Sequence, residues 1–246
     1  MITGASSGIG EALARRYAGS ANVLMLTGRN EERLHSVARQ CRDAGATVMT
    51  SLCDVADRDG MRALINQWHE ETPIDLLIAN AGISGSGSLL DDDDSALRDI
   101  FAVNLAGVIN TITPAVPLMA AEGGGQIAIM SSLAGFRGMP SAPGYAASKA
   151  AVRSLGEGLR GQLAEYNIAV NVICPGFVES RITDKNDFVM PFMLEASEAA
   201  DIIARGLAKN RGRIAFPFAM YFAVWLFSLL PVTVTDWLAA RLPRKS

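Results

Sequence analysis

Apolar runs and amphipathic stretches follow one another along this chain in a regular order. Five apolar runs predict buried strands at 22–27, 46–52, 74–80, 126–131 and 168–173. Stretches with helical spacing lie between and after them, following Gly10 and then at 30–44, 57–71, 95–121, 144–166 and 197–209. With a first strand before Gly4, strands alternate with helices six times. This order predicts an α/β fold: one domain with a doubly wound parallel sheet and helices on both faces.

The first strand of this sheet is expected to be unusually short. Only Met1 and Ile2 precede the glycine-rich stretch, whereas a central strand has about five residues. Either the start of the chain has been assigned late or the strand is reduced to a stub. A stub would lose pairing and burial at the centre of the sheet, which would lower stability.

Residues 3–10 form a glycine loop with the sequence TGASSGIG, and a helical pattern follows it directly. Glycines let the backbone turn sharply and approach a ligand, and the N–H groups that begin a helix can bind a pyrophosphate. An ordinary turn would also explain such a loop. The strand predicted at 22–27, however, supplies the second strand of a βαβ unit, so the loop predicts dinucleotide binding.

Gly28 and Arg29 stand at the end of the second strand, where dinucleotide folds usually carry an acid that binds the ribose hydroxyls. A missing carboxylate beside a guanidinium favours a 2′-phosphate, and therefore NADP(H) over NAD(H). The alternative is that Arg29 begins the next helix and faces solvent. Asp54 follows the third strand, at the edge where ligands bind in open α/β sheets.

Ser132, Tyr145 and Lys149 are the main candidates for catalysis. Residues four apart lie side by side on a helix, so Tyr145 and Lys149 are expected to be neighbours. A free phenol has a pKa of about 10, and an ammonium about 4 Å away would lower that pKa by about three units. Tyr145 could then act as a general acid or base, with Ser132 holding a substrate oxygen. The plainer alternative is a half-exposed helix face with a snorkelling lysine.

Composition excludes several other classes of protein. The net charge of −3 and the scattered Lys and Arg leave no basic stripe for nucleic acid. Three cysteines without ligand spacing indicate reduced thiols in a cytoplasmic location. The acidic run Asp91–Asp94 is interpreted as the favourable start of a helix and not as a metal site. His35 and His69 are predicted to lie at the surface.

Taken together, the motifs resemble those of the short-chain dehydrogenase/reductase family over about residues 1–180. The features that carry the resemblance are T-G-x-x-x-G-x-G at 3–10, Asp54, N-A-G at 80–82, Asn104, Ser132, Y-x-x-x-K at 145–149 and P-G at 175–176. It implies a Rossmann-type fold and a cofactor site made of Gly4, Ser6, Ser7, Gly8, Ile9, Gly10, Arg29, Asp54, Val55, Asn80, Ala81, Gly82, Tyr145, Lys149, Pro175 and Gly176.

The resemblance also implies a role for each catalytic residue. Tyr145 would protonate a carbonyl oxygen while NADPH delivers hydride, or act as the base in the reverse direction. Lys149 would lower the pKa of Tyr145 and bind the nicotinamide ribose, and Ser132 would orient the substrate oxygen. Asn104 would hold a water that links Lys149 to solvent. Asp54 would contact the adenine, and Asn80 would support the central strand.

The C-terminal part of the chain is more apolar than the rest. Residues 177–195, with Phe177, Ile182, Met190, Phe192 and Met193, are interpreted as a substrate-covering segment of the domain 1–212. Residues 213–246 are expected to form a hydrophobic helical extension of the same domain. Its charge-free run 214–235 could be a lid or an oligomer contact, a peripheral membrane attachment or, least favoured, a membrane span.

The sequence therefore predicts an NADP(H)-dependent oxidoreductase for a small lipophilic ketone, aldehyde or secondary alcohol. The alternatives are a 3-oxoacyl-thioester reductase and, from another class, a non-catalytic dinucleotide-binding sensor or scaffold. The resemblance implies a homodimer or homotetramer that pairs through the helices 95–121 and 144–166. The expected location is the cytoplasm, with peripheral membrane contact through 214–235 left open.

Overall fold

The computed structural model describes residues 1–85, 93–185, 190–231 and 233–235. Its strands are β1 (Val23–Gly28), β2 (Thr47–Leu52), β3 (Leu76–Ala79), β4 (Gly125–Met130), β5 (Ile168–Pro175) and β6 (Arg213–Phe216). Its helices are α1 (Gly8–Arg16), α2 (Glu31–Asp43), α3 (Arg58–Glu71), α4 (Ser95–Phe101), α5 (Gly107–Ala121), α6 (Pro143–Gln162), α7 (Ala196–Ala208) and α8 (Phe218–Leu229).

The strands pair in parallel in two groups, β1 with β2 and β3-β4-β5-β6 in that order. Ile2 joins the groups, because it forms single-residue parallel bridges to Leu26 of β1 and to Ile78 of β3. The Ile2 N–H donates to the Met25 carbonyl at 2.8 Å, and the Thr3 N–H donates to the Ile78 carbonyl at 3.0 Å. The two residues before the glycine loop therefore pair between β1 and β3 through isolated bridges.

Helices cover both faces of the sheet, as the alternating pattern predicts. On one face α1, α2 and α7 bury a cluster that includes Leu13, Leu34 and Ile203 against β1. On the other face α3, α5 and α6 bury a second cluster around Met61, Met119, Val152 and Ile127. Burying both faces explains why the strand runs are almost continuously apolar and do not alternate with polar residues.

Two predicted helix boundaries are confirmed in detail. The Asn30 side chain accepts a hydrogen bond from the Arg33 N–H at 2.9 Å and caps α2. Gly45 follows the end of α2 with a φ of +97°, a left-handed conformation that favours glycine.

Other predictions of the sequence analysis were wrong. The predicted helix 95–121 is interrupted by a π-helical turn at Ala102–Ala106, and helix 144–166 ends at Gln162. His69 does not lie at the surface: it is buried, and its Nδ1 accepts a hydrogen bond from the Ile74 N–H at 3.2 Å. Strand β6 was missed, so the C-terminal extension begins as an edge strand and not as a helix.

Among the described residues, one helical stretch, Ser95–Ala121, is long and apolar enough to cross a bilayer. Half of its most apolar window is buried inside the protein, as expected for a helix that packs on a sheet. Helix α8 is shorter than a membrane span.

Candidate active site

The glycine loop is held against the end of β3 by Asn80 and Thr3. The Asn80 Nδ2 donates to the carbonyls of Thr3 and Gly4 at 2.9 and 3.3 Å, while the Thr3 Oγ1 accepts from the N–H groups of Asn80 and Ala81. A Cβ on Gly10 would stand 2.3 Å from the Gly4 carbonyl oxygen, so only glycine fits. Asn80 thus supports the loop as well as the strand.

The loop presents the start of α1 in a form that fits a pyrophosphate. Gly4 and Gly8 have φ values of +66° and +56°. Ser7, the N-cap residue, makes no side-chain cap to the helix. The first N–H groups of an α-helix have no partner inside the helix, and here they follow a backbone turn without bulky side chains. Ser6, Ser7 and Ile9 all belong to this segment.

The carboxyl ends of β1 and β2 bring Arg29 and Asp54 together. The Arg29 Nη1 lies 3.4 Å from the Asp54 Oδ2, and both side chains are exposed, at 60 % and 43 %. A Cβ on Gly28 would stand 3.0 Å from the Ser6 Oγ, so the glycine leaves no room for a side chain there. An exposed pair at this distance contributes little stability, so Arg29 is available to a ligand. Val55, beside Asp54, is buried.

Ser132 follows β4 and begins a short 3-10 turn, Leu133–Phe136. Its Oγ accepts from the Ala134 N–H at 3.1 Å and donates to the Pro175 carbonyl at 3.4 Å. The neighbouring Ser131 Oγ donates to the Lys149 carbonyl at 2.7 Å, which fastens this turn to α6. The two adjacent serines therefore differ: Ser131 anchors the turn, and Ser132 lies beside Tyr145.

The pKa of Tyr145 does not move in the predicted direction. Burial raises it above its usual value, and the hydrogen bond with Ser132 lowers it only in part. The Lys149 Nζ donates to the Met130 carbonyl at 2.9 Å and lies 5.7 Å from the centre of the Tyr145 ring. Burial also lowers the pKa of Lys149 to about 8, which weakens the cation on which the prediction depended.

Asn104 lies in the π-helical turn and is completely buried. Its Oδ1 accepts from the Ile83 N–H at 2.8 Å, and its Nδ2 donates to the Ile83 carbonyl at 2.9 Å and to the Ser148 Oγ at 3.0 Å. Ser148 in turn donates to the Tyr145 carbonyl at 2.8 Å. A Cβ on Gly82 would stand 3.3 Å from both the Asn104 Oδ1 and the Lys149 Nζ. Asn104 is therefore connected to Tyr145 through Ser148.

Several residues around the site were not found from the sequence. Ser148 could have been found, because it lies three residues after Tyr145 on the same helix. Met220 of α8 could not have been found, because it contacts Gly176, a residue far away in the sequence. A Cβ added to Gly176 would stand 2.6 Å from the Met220 Sδ. That contact places α8 beside the Pro175–Gly176 end of β5. Val178 and Leu194 bridge the two ends of the predicted substrate-covering segment, whose residues 186–189 lie outside the described residues.

Within the described residues, no group of three or more His, Cys, Asp or Glu side chains is placed to hold a metal ion. Asp91 and Asp92 of the acidic run lie outside the described residues. Asp93 accepts from the Ser95 N–H at 2.9 Å and Asp94 pairs with Arg98, both at the start of α4. These two contacts agree with the interpretation of the run as a helix start.

Comparison with known proteins identifies the family. The profile of the family described as short chain dehydrogenase matches residues 1–188. An uncharacterized oxidoreductase of Myxococcus xanthus is 32% identical over 243 residues, which cover 98% of this chain and 96% of that protein. The chain belongs to the short-chain dehydrogenase/reductase family.

Two solved structures have the same fold. A short-chain dehydrogenase from Sphingobium yanoikuyae in complex with NADPH is 25% identical with a TM-score of 0.82, covering 100% of this chain and 96% of that one. A family member from Burkholderia phymatum in complex with NAD is 27% identical with a TM-score of 0.84, covering 100% and 95%. The protein is an oxidoreductase that acts on CH–OH or C=O groups with NAD(P).

Proposed function

We propose that this enzyme transfers hydride between NADP(H) and a lipophilic ketone, aldehyde or secondary alcohol. The observation that carries the proposal is the convergence of Ser132, Tyr145 and Lys149 at the carboxyl edge of β4 and β5. There Ser132 is near enough to Tyr145 to lower its pKa, and the Lys149 Nζ lies 5.7 Å from the centre of the Tyr145 ring. This edge is where open α/β sheets bind their ligands.

The residues of this chain would handle the proton. Ser132 would hold the substrate oxygen close to the Tyr145 hydroxyl, which donates its proton during reduction and accepts one during oxidation. The bound dinucleotide would supply or take up the hydride. With a pKa of about 8, Lys149 can exchange a proton near neutral pH. It would also bind the nicotinamide ribose and stabilise the Tyr145 phenolate when it is charged.

Arg29 supports a preference for NADP(H). It is exposed at the end of β1, and the neighbouring Gly28 carries no carboxylate at the usual ribose-binding position, where Ser6 leaves no room for a side chain. A guanidinium is well suited to a phosphate because it can donate two parallel hydrogen bonds. Asp54 pairs with it only weakly at 3.4 Å, so a 2′-phosphate could compete for the same guanidinium.

Apolar residues near the edge of the site support a lipophilic substrate. Met220 lies against Gly176, and Phe192 and Met193 of the substrate-covering segment are 61% and 44% exposed. Exposed apolar side chains in the segment that follows the end of β5 are available to an apolar ligand. We expect kcat/KM to rise about fourfold for each methylene added to a ketone substrate, up to the length of the pocket.

Intrinsic fluorescence titrations with NADPH and NADH test the cofactor proposal. We expect Arg29→Ala to weaken NADPH binding about 10- to 100-fold, as loss of a charge-assisted hydrogen bond would do, and to leave NADH binding unchanged. Arg39→Ala is the matched control, since this exposed arginine lies on α2 about 15 Å further along the chain. Equal weakening for both nucleotides, or tighter binding of NADH by the wild type, would contradict the NADP(H) preference.

Turnover assays then separate an enzyme from a sensor. Oxidation of NADPH with a medium-chain ketone is expected in the wild-type protein. Cofactor binding without turnover on any carbonyl or thioester tested would favour the non-catalytic alternative.

A homodimer or homotetramer, proposed by analogy with the family, is tested by light scattering on the same samples.

A further inference from the structure

Helix α8 carries an exposed apolar stripe. Five large apolar side chains of this helix are exposed: Phe218 by 75%, Phe222 by 51%, Trp225 by 39%, Leu226 by 49% and Leu229 by 62%. Their spacing places them on one face of the helix. The rings are in contact, with centroids 6.3 Å apart for Phe218 and Phe222 and 6.0 Å apart for Phe222 and Trp225. Ordinary surface helices expose their polar side, so this stripe needs a partner.

The sides of α8 away from the stripe already pack on the protein. The Tyr221 ring packs edge-on against Phe136 with centroids 5.6 Å apart, and its hydroxyl accepts a hydrogen bond from the Arg213 Nη1 at 3.3 Å. Met220 lies against Gly176. These contacts fix the rotation of α8 about its axis, so the helix cannot turn its apolar stripe inward without losing them.

The charges next to α8 are mainly positive. The guanidinium groups of Arg153 and Arg213 lie 4.6 and 5.3 Å from the centre of the Phe136 ring, with Glu157 between them as their shared carboxylate. Arg137 contacts Thr235 just beyond the helix. Three arginines and one glutamate therefore lie around Phe136 and Thr235, the residues beside α8.

The sequence shows the same asymmetry on a larger scale. Residues 209–246 contain six Lys or Arg and one Asp, whereas the remaining 208 residues contain 16 Lys or Arg and 24 Asp or Glu. A basic, aromatic segment on an otherwise acidic protein is complementary to an anionic surface with an apolar interior. An acidic or polar protein partner would match the charges but not the ring-rich stripe.

We propose that the outward face of α8 docks on an anionic lipid membrane, with the aromatic stripe in the interface and Arg137, Arg153 and Arg213 near the headgroups. A second copy of the chain fits less well. The five side chains expose roughly 500 Å², taking about 200 Å² for each, whereas a stable dimer buries about 800 Å² on each partner. The docking stands independently of the proposed function.

Docking by this face would bring the active site to the membrane. Helix α8 packs on the 3-10 turn that begins at Ser132 and on Gly176 at the end of β5. If the proposed function holds, the substrate would then be a carbonyl or alcohol that resides in the lipid, because it could enter the site without crossing water.

Vesicle co-sedimentation of the full chain tests the docking. The probes are phosphatidylcholine vesicles with and without phosphatidylglycerol. We expect binding to the mixed vesicles, at least tenfold weaker binding to pure phosphatidylcholine, and weakening by salt. The variant Phe218→Ser/Phe222→Ser should bind at least tenfold more weakly. Tyr166→Ser, which removes an aromatic ring that is 50% exposed at the other edge of the sheet, should bind like the wild type.

The remaining outcomes each overturn the docking. One is that the wild type fails to bind mixed vesicles, and another is that Phe218→Ser/Phe222→Ser binds them as well as the wild type does. A third such outcome is that Tyr166→Ser loses as much vesicle binding as the double variant. A dimer seen by light scattering that Phe218→Ser/Phe222→Ser dissociates would assign the stripe to a second copy. NADPH binding by the double variant, measured by fluorescence titration, shows whether the fold is kept. A loss of vesicle binding supports the docking only if the variant still binds NADPH. If the double variant does not fold, Trp225→Ser tests the same stripe.

Discussion

Helices α6 and α8 both lie near the carboxyl edge of the sheet, and both carry a line of side chains along one face. On α6 the line is Tyr145, Lys149, Arg153 and Glu157, spaced four residues apart, and its groups bind neighbouring backbone and rings. On α8 the line is aromatic and aliphatic and faces outward. The line on α6 is inside the protein at Lys149 and reaches the surface at Glu157, whereas the line on α8 faces away along its whole length.

This difference shows that spacing alone does not assign a role to a helix face. The polar groups of α6 are held by the protein, because the Lys149 Nζ donates to the Met130 carbonyl and the Arg153 Nε donates to the Gly135 carbonyl. The line on α8 is exposed because Tyr221 and Met220 occupy the inner face. Phe136 belongs to both regions, since it contacts Arg153 of α6 and Tyr221 of α8.

The largest expected effect is that of removing one hydroxyl from α6. Tyr145→Phe should lower kcat by about 10³-fold, since general acid catalysis contributes about 10²–10⁴-fold. NADPH affinity should stay within about twofold, because the ring remains. Steady-state kinetics and fluorescence titration measure the two quantities. Tyr166→Phe is the control and should keep full activity. Comparable turnover in both variants would show that Tyr145 is not the proton donor.

The next effect concerns the charge of Lys149. Burial lowers its pKa from 10.5 to about 8, so the unfolded chain binds more protons than the folded protein between those values. The free energy of unfolding should therefore rise with pH across this window, by up to about 3 kcal/mol relative to Lys149→Met. Urea unfolding at several pH values measures the difference. Lys209→Met, at an exposed position, should follow the wild type, and a pH-independent difference for Lys149→Met would contradict the shift.

The smallest effect compares two adjacent residues of α8. Tyr221→Ser should lower the free energy of unfolding by about 2 kcal/mol, because it removes the ring packed on Phe136 and the partner of Arg213. Phe222→Ser should change it by about 0.5 kcal/mol or less, since this side chain is half exposed. Urea unfolding of both variants decides the comparison. A large loss for Phe222→Ser would mean that part of the protein covers the stripe.

Local patterns were sufficient to predict most of the fold. Apolar runs of six residues at 22–27 and 126–131 are typical of buried strands between helical layers, and the Asn30 side chain caps the start of α2. Strand β6 was missed because four residues, RIAF, carry no period of their own. They become a strand only because β5 offers an edge to pair with.

The sequence by itself determined which chemical groups the site contains. Motif spacing located Ser132, Tyr145, Lys149, Asn104 and the glycine loop, since strand ends and helix turns translate sequence distance into position. Their assigned roles stay predictions.

Only the tertiary structure decided the electrostatics and the exposed surfaces. A pKa depends on burial and on every neighbouring group, so the upward shift at Tyr145 and the value of about 8 at Lys149 could not be derived from their spacing. The buried His69 and the outward stripe of α8 have the same origin. Whether a side chain faces water depends on contacts between residues far apart in the chain, such as Met220 with Gly176.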